Sequence, residues 1–136
     1  MFFDLEKFEH INDNHGHAAD DEVLIQIASR LLEHCRVEDT VCRTGGDESL
    51  YVLINPKGRA IARIASALLE ALALPVVVEG LRIVVKPSVG ISLYPAHSKS
   101  ASELISNADA AMYAAKKGSV SSGWAFHDGA SMPRAA

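Results

Sequence analysis

Hydrophobic positions along the chain repeat with two different spacings. Three stretches carry apolar residues three and four positions apart, which predicts amphipathic helices around 21–35, 61–72 and 102–117. Shorter runs rich in β-branched and apolar residues predict strands. These runs are Phe2–Leu5, Thr40–Arg43, Leu50–Ile54, Val76–Val78, Leu81–Val85, Ser88–Tyr94 and Trp124–Phe126. Strands and helices that alternate in this way indicate an α+β fold, with helices flanking a central, mostly antiparallel sheet.

Turn residues separate several of the predicted strands. Gly45-Gly46 lies between one pair of strands and Glu79-Gly80 between another, so each pair is predicted to form a β-hairpin. Asp20 or Asp21 is predicted to cap the first helix, because its carboxylate can accept from free backbone N–H groups. Pro87 is unfavourable inside a strand because proline cannot donate to a ladder.

Length, charge and cysteine content narrow the class of protein. A chain of 136 residues with a net charge of −4 fits one globular domain and lacks the basic surface of a general nucleic-acid binder. No apolar run is long enough to span a bilayer, and Met1–Glu6 lacks the basic start of a signal peptide. Cys35 and Cys42 match no metal or disulfide spacing. The expected location is therefore the cytoplasm, with no membrane segment in this chain.

The turn between the second and third predicted strands carries candidate chemistry. Gly45 and Gly46 allow close approach of a phosphate, and Asp47 and Glu48 follow at once. Asp4 ends an apolar strand that is expected to lie beside this hairpin. Carboxylate oxygens from two elements, with room left for phosphates, suit Mg²⁺ (or Mn²⁺). The alternative for this stretch alone is an ordinary Gly-Gly turn with solvated acids.

Several segments, taken together and in order, resemble the GGDEF family of bacterial cyclic di-GMP signalling. The resemblance extends from residue 2 to about residue 126. The matching segments are Phe3–Phe8, Ile11–Asp13, Gly16-His17, Asp21-Glu22, Gly45–Glu48, Ser88–Ile91 and Ala108–Lys116. It implies a fold like that of adenylyl cyclase catalytic domains. It also implies that two GTP-loaded domains face each other and form cyclic di-GMP and two pyrophosphates.

The resemblance also implies roles for the acidic residues. Asp4 and Asp47 would ligate the metal ion, together with the carbonyl of Leu5. Glu48 would lie at the metal and the ribose hydroxyl, where it could assist deprotonation. Asp47 and Glu48 are therefore the implied catalytic residues.

GTP would contact a second set of residues. By the resemblance, Asn12 and Asp21 would bind the guanine edge, Gly45 and Gly46 would border the nucleotide, and Lys116 would meet the triphosphate. Taken singly, Asn12 is typical of a turn, Asp21 of a helix cap and Lys116 of an exposed helix end.

A further site is suggested by Arg36-Val37-Glu38-Asp39, which ends five residues before Gly45. It is similar to the Arg-x-x-Asp inhibitory site of the family, at which the product cyclic di-GMP binds. Arginine can fork onto phosphate or guanine acceptors, and aspartate can accept from guanine N–H groups. The alternative is a solvated Arg36/Asp39 pair at a helix end.

The chain also departs from the family pattern. Ser49 occupies the position of an aromatic residue, Glu9 that of a lysine, and Ser119–Gly123 lacks the arginine expected after Lys117-Gly118. The helix and Asp-x-Leu-Thr-Gly-Leu segment that precede the first strand in the family are not found in this chain. Residues 1–128 are therefore predicted to form a GGDEF-like domain without that helix, and residues 129–136 a tail or linker.

Three functions follow from this pattern. The departures favour a domain of impaired activity that binds GTP or cyclic di-GMP as a regulatory module. The retained acids favour an active diguanylate cyclase that works as a homodimer. A third possibility is an interaction domain that binds no nucleotide. Expected partners are a second copy or another GGDEF or EAL domain.

Overall fold

The computed structural model describes residues 1–6, 11, 13–14, 16–56, 58–118 and 123–127, with backbone alone at residues 58 and 59. The helices of ten or more residues there are α1 (His17–Glu33), α2 (Gly58–Ala73) and α3 (Ala101–Lys116). The strands are β1 (Phe2–Glu6), β2 (Thr40–Gly45), β3 (Glu48–Val52), β4 (Val76–Val78), β5 (Leu81–Ile83), β6 (Lys86–Ile91) and β7 (Trp124–Phe126). The predicted α+β class is confirmed.

Five strands form one sheet in the order β2-β3-β1-β6-β7. All neighbours are antiparallel except β6 and β7, which run parallel. Strands β4 and β5 form a separate hairpin, as their Glu79-Gly80 turn predicts. The first strand therefore lies at the centre of the sheet, between β3 and β6.

The two faces of β1 serve different purposes. Phe3 and Leu5 point to the face that carries the large hydrophobic core, which includes Tyr51 and residues of α1 and α2. Phe2 points to the other face and packs with Ala108 and Met112 of α3. Side chains at positions 2, 4 and 6 share this α3 face, because side chains alternate along a strand.

Several element boundaries differ from the sequence prediction, among them the starts of α1 and β6. Helix α1 begins at His17, and its N-cap is Gly16, with no side-chain capping bond. Asp20 and Asp21 therefore lie inside the helix. Strand β6 begins at Lys86 and includes Pro87, which lies two residues before Val89, the first residue that pairs with β7. The backbone N–H of Val89 donates to the carbonyl of Gly123, which precedes β7. The N of Pro87, two residues earlier, points the same way, so the proline removes no hydrogen bond between β6 and β1.

Gly90 lets α3 approach the sheet closely. A Cβ atom built at Gly90 would lie 1.8 Å from the carbonyl oxygen of Ala108 and 2.2 Å from the backbone N of Met112. Both atoms belong to the helix backbone, so no rotamer change could make room. The sheet therefore holds α3 at a separation that only glycine at position 90 permits.

We predict that Gly90→Ala destabilises the fold by about 4 kcal/mol or more, because the helix must move as a whole. Gly80→Ala is the control. Gly80 has a positive φ of 81° but nothing within 4 Å of the added Cβ, so the expected cost there is only about 1 kcal/mol. Urea unfolding followed by circular dichroism measures both. Equal losses in the two variants would contradict the close-packing argument.

Candidate functional site

The centre of the site is Asp4, a carboxylate buried in the middle of the sheet. Its side chain is 7% exposed, and its Oδ2 accepts a 2.6 Å hydrogen bond from Nζ of Lys116 at the end of α3. Asp4 pairs in register with Glu48 of β3 on one side and with Ser88 of β6 on the other. Directly paired residues point to the same face of a sheet, so Glu48 and Ser88 flank Asp4 on the α3 face.

The β2–β3 hairpin brings a second carboxylate to Asp4. Strand β2 ends at Gly45 and β3 begins at Glu48, so Gly46 and Asp47 form the turn. Gly45 and Gly46 have φ values of 155° and 50°, which a residue with a side chain would rarely adopt together. The Gly-Gly pair thus allows a two-residue turn whose tip presents Asp47 beside Asp4, as the sequence predicts.

The backbone carbonyl of Leu5 also faces this hairpin tip. Met1 and Tyr51 exchange two backbone bonds across β1 and β3, and backbone groups two residues apart point the same way. The N–H and C=O of Leu5 therefore point toward β3. The β1–β3 pairs end at Asp4 and Glu48. The Leu5 carbonyl thus lies one step beyond the ladder, level with Asp47.

Burial and the neighbouring Asp4 shift the pKa of Asp47. Burial raises the pKa of Asp47 to about 6, assisted by the hydrogen bond and the negative charge of neighbouring Asp4. Lys116 acts in the opposite direction on Asp47. The hydrogen bond to Asp4 raises the pKa of Lys116 above its usual value, despite some burial. The site therefore concentrates negative charge that one lysine only partly neutralises.

This donor set fits a divalent cation. Two adjacent carboxylates and a free carbonyl are hard oxygen donors, and the ammonium of Lys116 already serves as a cation at Asp4. Within the described part of the chain, no group of three or more acidic, histidine or cysteine side chains could hold a metal ion. A metal here would thus take its remaining ligands from water or phosphate, which is the coordination that Mg²⁺ favours.

The predicted guanine contacts are only partly described. Asn12 lies outside the described residues, and Asp21 is exposed in the second turn of α1. Burial is the main cause that raises the pKa of neighbouring Asp20, and the nearby charge of Arg43 on β2 partly opposes it. The start of α1 therefore lies close to the β2–β3 hairpin. The guanine roles of Asn12 and Asp21 stay predictions.

Arg36 and Asp39 form a hydrogen-bonded ion pair just after the end of α1. Asp39 accepts four hydrogen bonds, from the backbone N, Nε and Nη2 of Arg36 and from the backbone N of Ile54. Burial alone would raise the pKa of Asp39, but these bonds outweigh it and hold the pKa below its usual value. Its side chain is 1% exposed, whereas that of Arg36 is 47% exposed. Asp39 thus holds Arg36 in place, and Arg36 is the accessible member.

Sequence reasoning missed two neighbours of the acidic site, Ser88 and Lys86. Ser88 is buried opposite Asp4, and Lys86 lies opposite Glu6 at the end of the β1–β6 pairing. Lys86 Nζ is 3.5 Å from Oε2 of Glu6. Knowledge of the antiparallel register between β1 and β6 would have identified both residues as neighbours of the acidic site. Hydrophobic periodicity does not fix strand order, so the sequence did not show it.

Comparison with known proteins agrees with this fold, which is that of a nucleotidyl-cyclase-like α+β domain. The family described as "Diguanylate cyclase, GGDEF domain" matches residues 1–121. The chain therefore belongs to the GGDEF domain family.

The relatives with this domain have different activities. The chain is 36% identical over 116 residues to the bifunctional diguanylate cyclase/cyclic di-GMP phosphodiesterase MucR of Pseudomonas aeruginosa, with 85% of this chain and 17% of MucR aligned. It is 39% identical over 120 residues to the diguanylate cyclase TpbB of the same species (86% and 27% aligned). It is 34% identical over 118 residues to the cyclic di-GMP phosphodiesterase PdeR of Escherichia coli (87% and 18% aligned). The chain thus spans under a third of each relative.

A solved structure supports the same relationship. The GGDEF domain of TpbB from Pseudomonas aeruginosa superposes with a TM-score of 0.85 at 34% identity, covering 94% of this chain and 75% of that one. None of the helices in the described part of the chain is long and apolar enough to cross a membrane.

We predict that Asp47→Asn makes the metal-free protein more stable near pH 7. With a pKa raised to about 6, folded Asp47 binds more protons than unfolded Asp47 between about pH 4 and pH 6. Its contribution to stability therefore falls as pH rises through that window. Because the carboxyl is partly exposed, the gain in the variant should be no more than about 1 kcal/mol.

The measurement is urea unfolding in EDTA at several pH values. Asp109→Asn is the matched control, since it removes the same charge from an exposed site two turns before Lys116. A variant Asp47→Asn with the parent's pH dependence would show that the two carboxylates do not interact.

Proposed function

We propose that this GGDEF domain binds GTP with Mg²⁺ at the Asp4–Asp47 site and turns it over poorly, so that it acts as a nucleotide-binding regulatory module. The observation that carries the proposal is the pair of adjacent carboxylates, beside a lysine and the Gly-Gly turn. A cation between Asp4 and Asp47 would relieve their repulsion, and phosphates would complete its coordination. The metal would supply charge neutralisation for the triphosphate.

Several residues of this chain would then have separate roles at the bound nucleotide. Asp4 would help to hold the metal ion, and Lys116, which now donates to Asp4, would then be available to the phosphates. Glu48, on the same face as Asp4, is the candidate to accept the ribose hydroxyl proton. Asn12 and Asp21 are the candidates for the guanine edge.

Poor turnover is inferred from the surroundings of the carboxylates. Ser49 lies opposite Phe3 and Arg43 in the register, on the face that carries the core. A serine fills less of this position than the aromatic residue of the family pattern, so the hairpin tip is held less firmly. Glu9 and the missing arginine also reduce the positive charge available to a triphosphate.

Retention of Asp4, Asp47 and Glu48 supports the alternative, an active diguanylate cyclase. Since each domain would bind one GTP, this function requires two GTP-loaded domains face to face, as in a homodimer. Another GGDEF or EAL domain is a further candidate partner for either function. We place both functions in the cytoplasm, where GTP is available.

We predict that the parent binds GTP with Mg²⁺ in calorimetry but forms little cyclic di-GMP. Ser49→Phe combined with Glu9→Lys should raise product formation about ten-fold, because one change supports the hairpin and the other adds a phosphate cation. Asp47→Ala with Glu48→Ala should abolish it. Product is read by chromatography at high protein concentration, which favours dimers.

Fast turnover by the parent would overturn the regulatory proposal in favour of the active cyclase. Absence of GTP binding by the parent would overturn both functions and favour an interaction domain.

We also predict that Arg36→Met weakens binding of cyclic di-GMP about ten-fold, because a charged donor to a phosphate or guanine acceptor is lost. Binding of GTP should stay unchanged. Arg63→Met, which removes an exposed arginine from α2, is the matched control. Calorimetry with each nucleotide measures the effect. Equal affinity of parent and Arg36→Met for cyclic di-GMP would remove Arg36 from the site.

A further inference from the structure

Lys86 is a second cation on the face that carries the acidic site. Lys86 and Glu6 pair in register, and Glu6 lies two residues after Asp4 on β1. Asp4, Glu6 and Lys86 therefore project from the same face of the sheet, where α3 ends at Lys116. One strand repeat of about 7 Å separates the Asp4–Ser88 pair from the Glu6–Lys86 pair.

The contact between Lys86 and Glu6 is loose. Nζ of Lys86 is 3.5 Å from Oε2 of Glu6, and this oxygen is shielded from solvent without a hydrogen-bond partner among the described residues. The Lys86 side chain is 67% exposed and that of Glu6 34% exposed. Because the Lys86 ammonium is exposed and contacts Glu6 only at 3.5 Å, it can turn toward another anion while the charge of Lys116 still lies near Glu6.

The charge balance of the face shows what Lys86 could bind. Asp4, Glu6 and Glu48 share the face by register, and Asp47 lies beside Asp4. Lys116 neutralises Asp4, and Glu6 is close enough to raise the pKa of Lys116 further. A metal ion bound to Asp4 and Asp47 would not neutralise all the negative charge of a triphosphate. The distal oxygens of the triphosphate would need a further cation. The flexible stem of Lys86 spans about one strand repeat, so its ammonium can reach the surroundings of Asp4.

We propose that Lys86 binds the triphosphate of GTP at this site, and that Glu6 holds its ammonium ready in the nucleotide-free protein. This inference rests on the proposed binding of GTP. Lys86 is a binding residue that discriminates by phosphate number: it contacts GTP and is too far from the single phosphate of GMP. A stability role for the Glu6–Lys86 pair would affect both nucleotides alike.

The test compares GTP and GMP binding, each with Mg²⁺, by calorimetry on the 136-residue chain. Lys86→Met should weaken GTP binding about five-fold and leave GMP binding unchanged, since one exposed charge contact is lost. Lys86→Arg should keep the affinity of the parent for GTP. Lys99→Met is the matched control, because Lys99 is exposed ahead of α3 and about 24 Å of helix separates it from Lys116.

Three results would overturn the proposal. They are unchanged GTP affinity in Lys86→Met, an equal loss for GTP and GMP, and a Lys86→Arg variant as weak as Lys86→Met, which would assign the loss to packing. In each of them GTP binding by the parent stands, so the proposed function survives. A parent that binds no GTP overturns both.

Discussion

The buried carboxylate of Asp4 is the constraint on which the site depends. A charge in the centre of a sheet is costly unless a partner offsets its desolvation. Lys116 provides that partner, and it can do so only because α3 ends over β1. The same carboxylate is a candidate metal ligand. The domain therefore stabilises this buried acid with an internal cation, Lys116, with which a bound metal ion would compete.

The position of α3 in turn depends on Gly90. Because position 90 has no side chain, the helix backbone can approach β6 closely. Helix α3 then places Lys116 within hydrogen-bond distance of Asp4. The opposite face of β1 needs no such approach, because Phe3 and Tyr51 fill the space beneath α1 with large side chains. One strand thus separates the large hydrophobic core from a face on which a small apolar cluster around Phe2 lies beside the acidic residues of the candidate site.

Much of this arrangement could be predicted from the sequence. Helical periodicity located α1, α2 and α3, and the Gly45-Gly46 turn predicted the hairpin that carries Asp47. The start of α1 was wrong because Asp20 and Asp21 look like caps, whereas Gly16, with a positive φ of 86°, turns the chain earlier. Local capping preferences cannot reveal which turn the tertiary structure selects.

Other features depend on long-range pairing. The parallel contact of β6 with β7 and the Glu6–Lys86 pair arise from strand order, which periodicity leaves open. One of the four hydrogen bonds that Asp39 accepts comes from the backbone N of Ile54, fifteen residues away. From the sequence Asp39 was a candidate ligand. In the structure it is a support for Arg36, and this changes which of the two residues can meet a ligand directly.

The residues that stabilise the fold differ from those of the candidate site. Stability rests on the core face and on Gly90, whereas catalysis would rest on the few charges around Asp4 and Asp47. Substitution of Ser49 or of a phosphate cation changes the second set and leaves the first intact. Under the proposed function, the number and placement of cations on the α3 face would decide turnover, and the Gly-Gly-Asp-Glu turn alone would not.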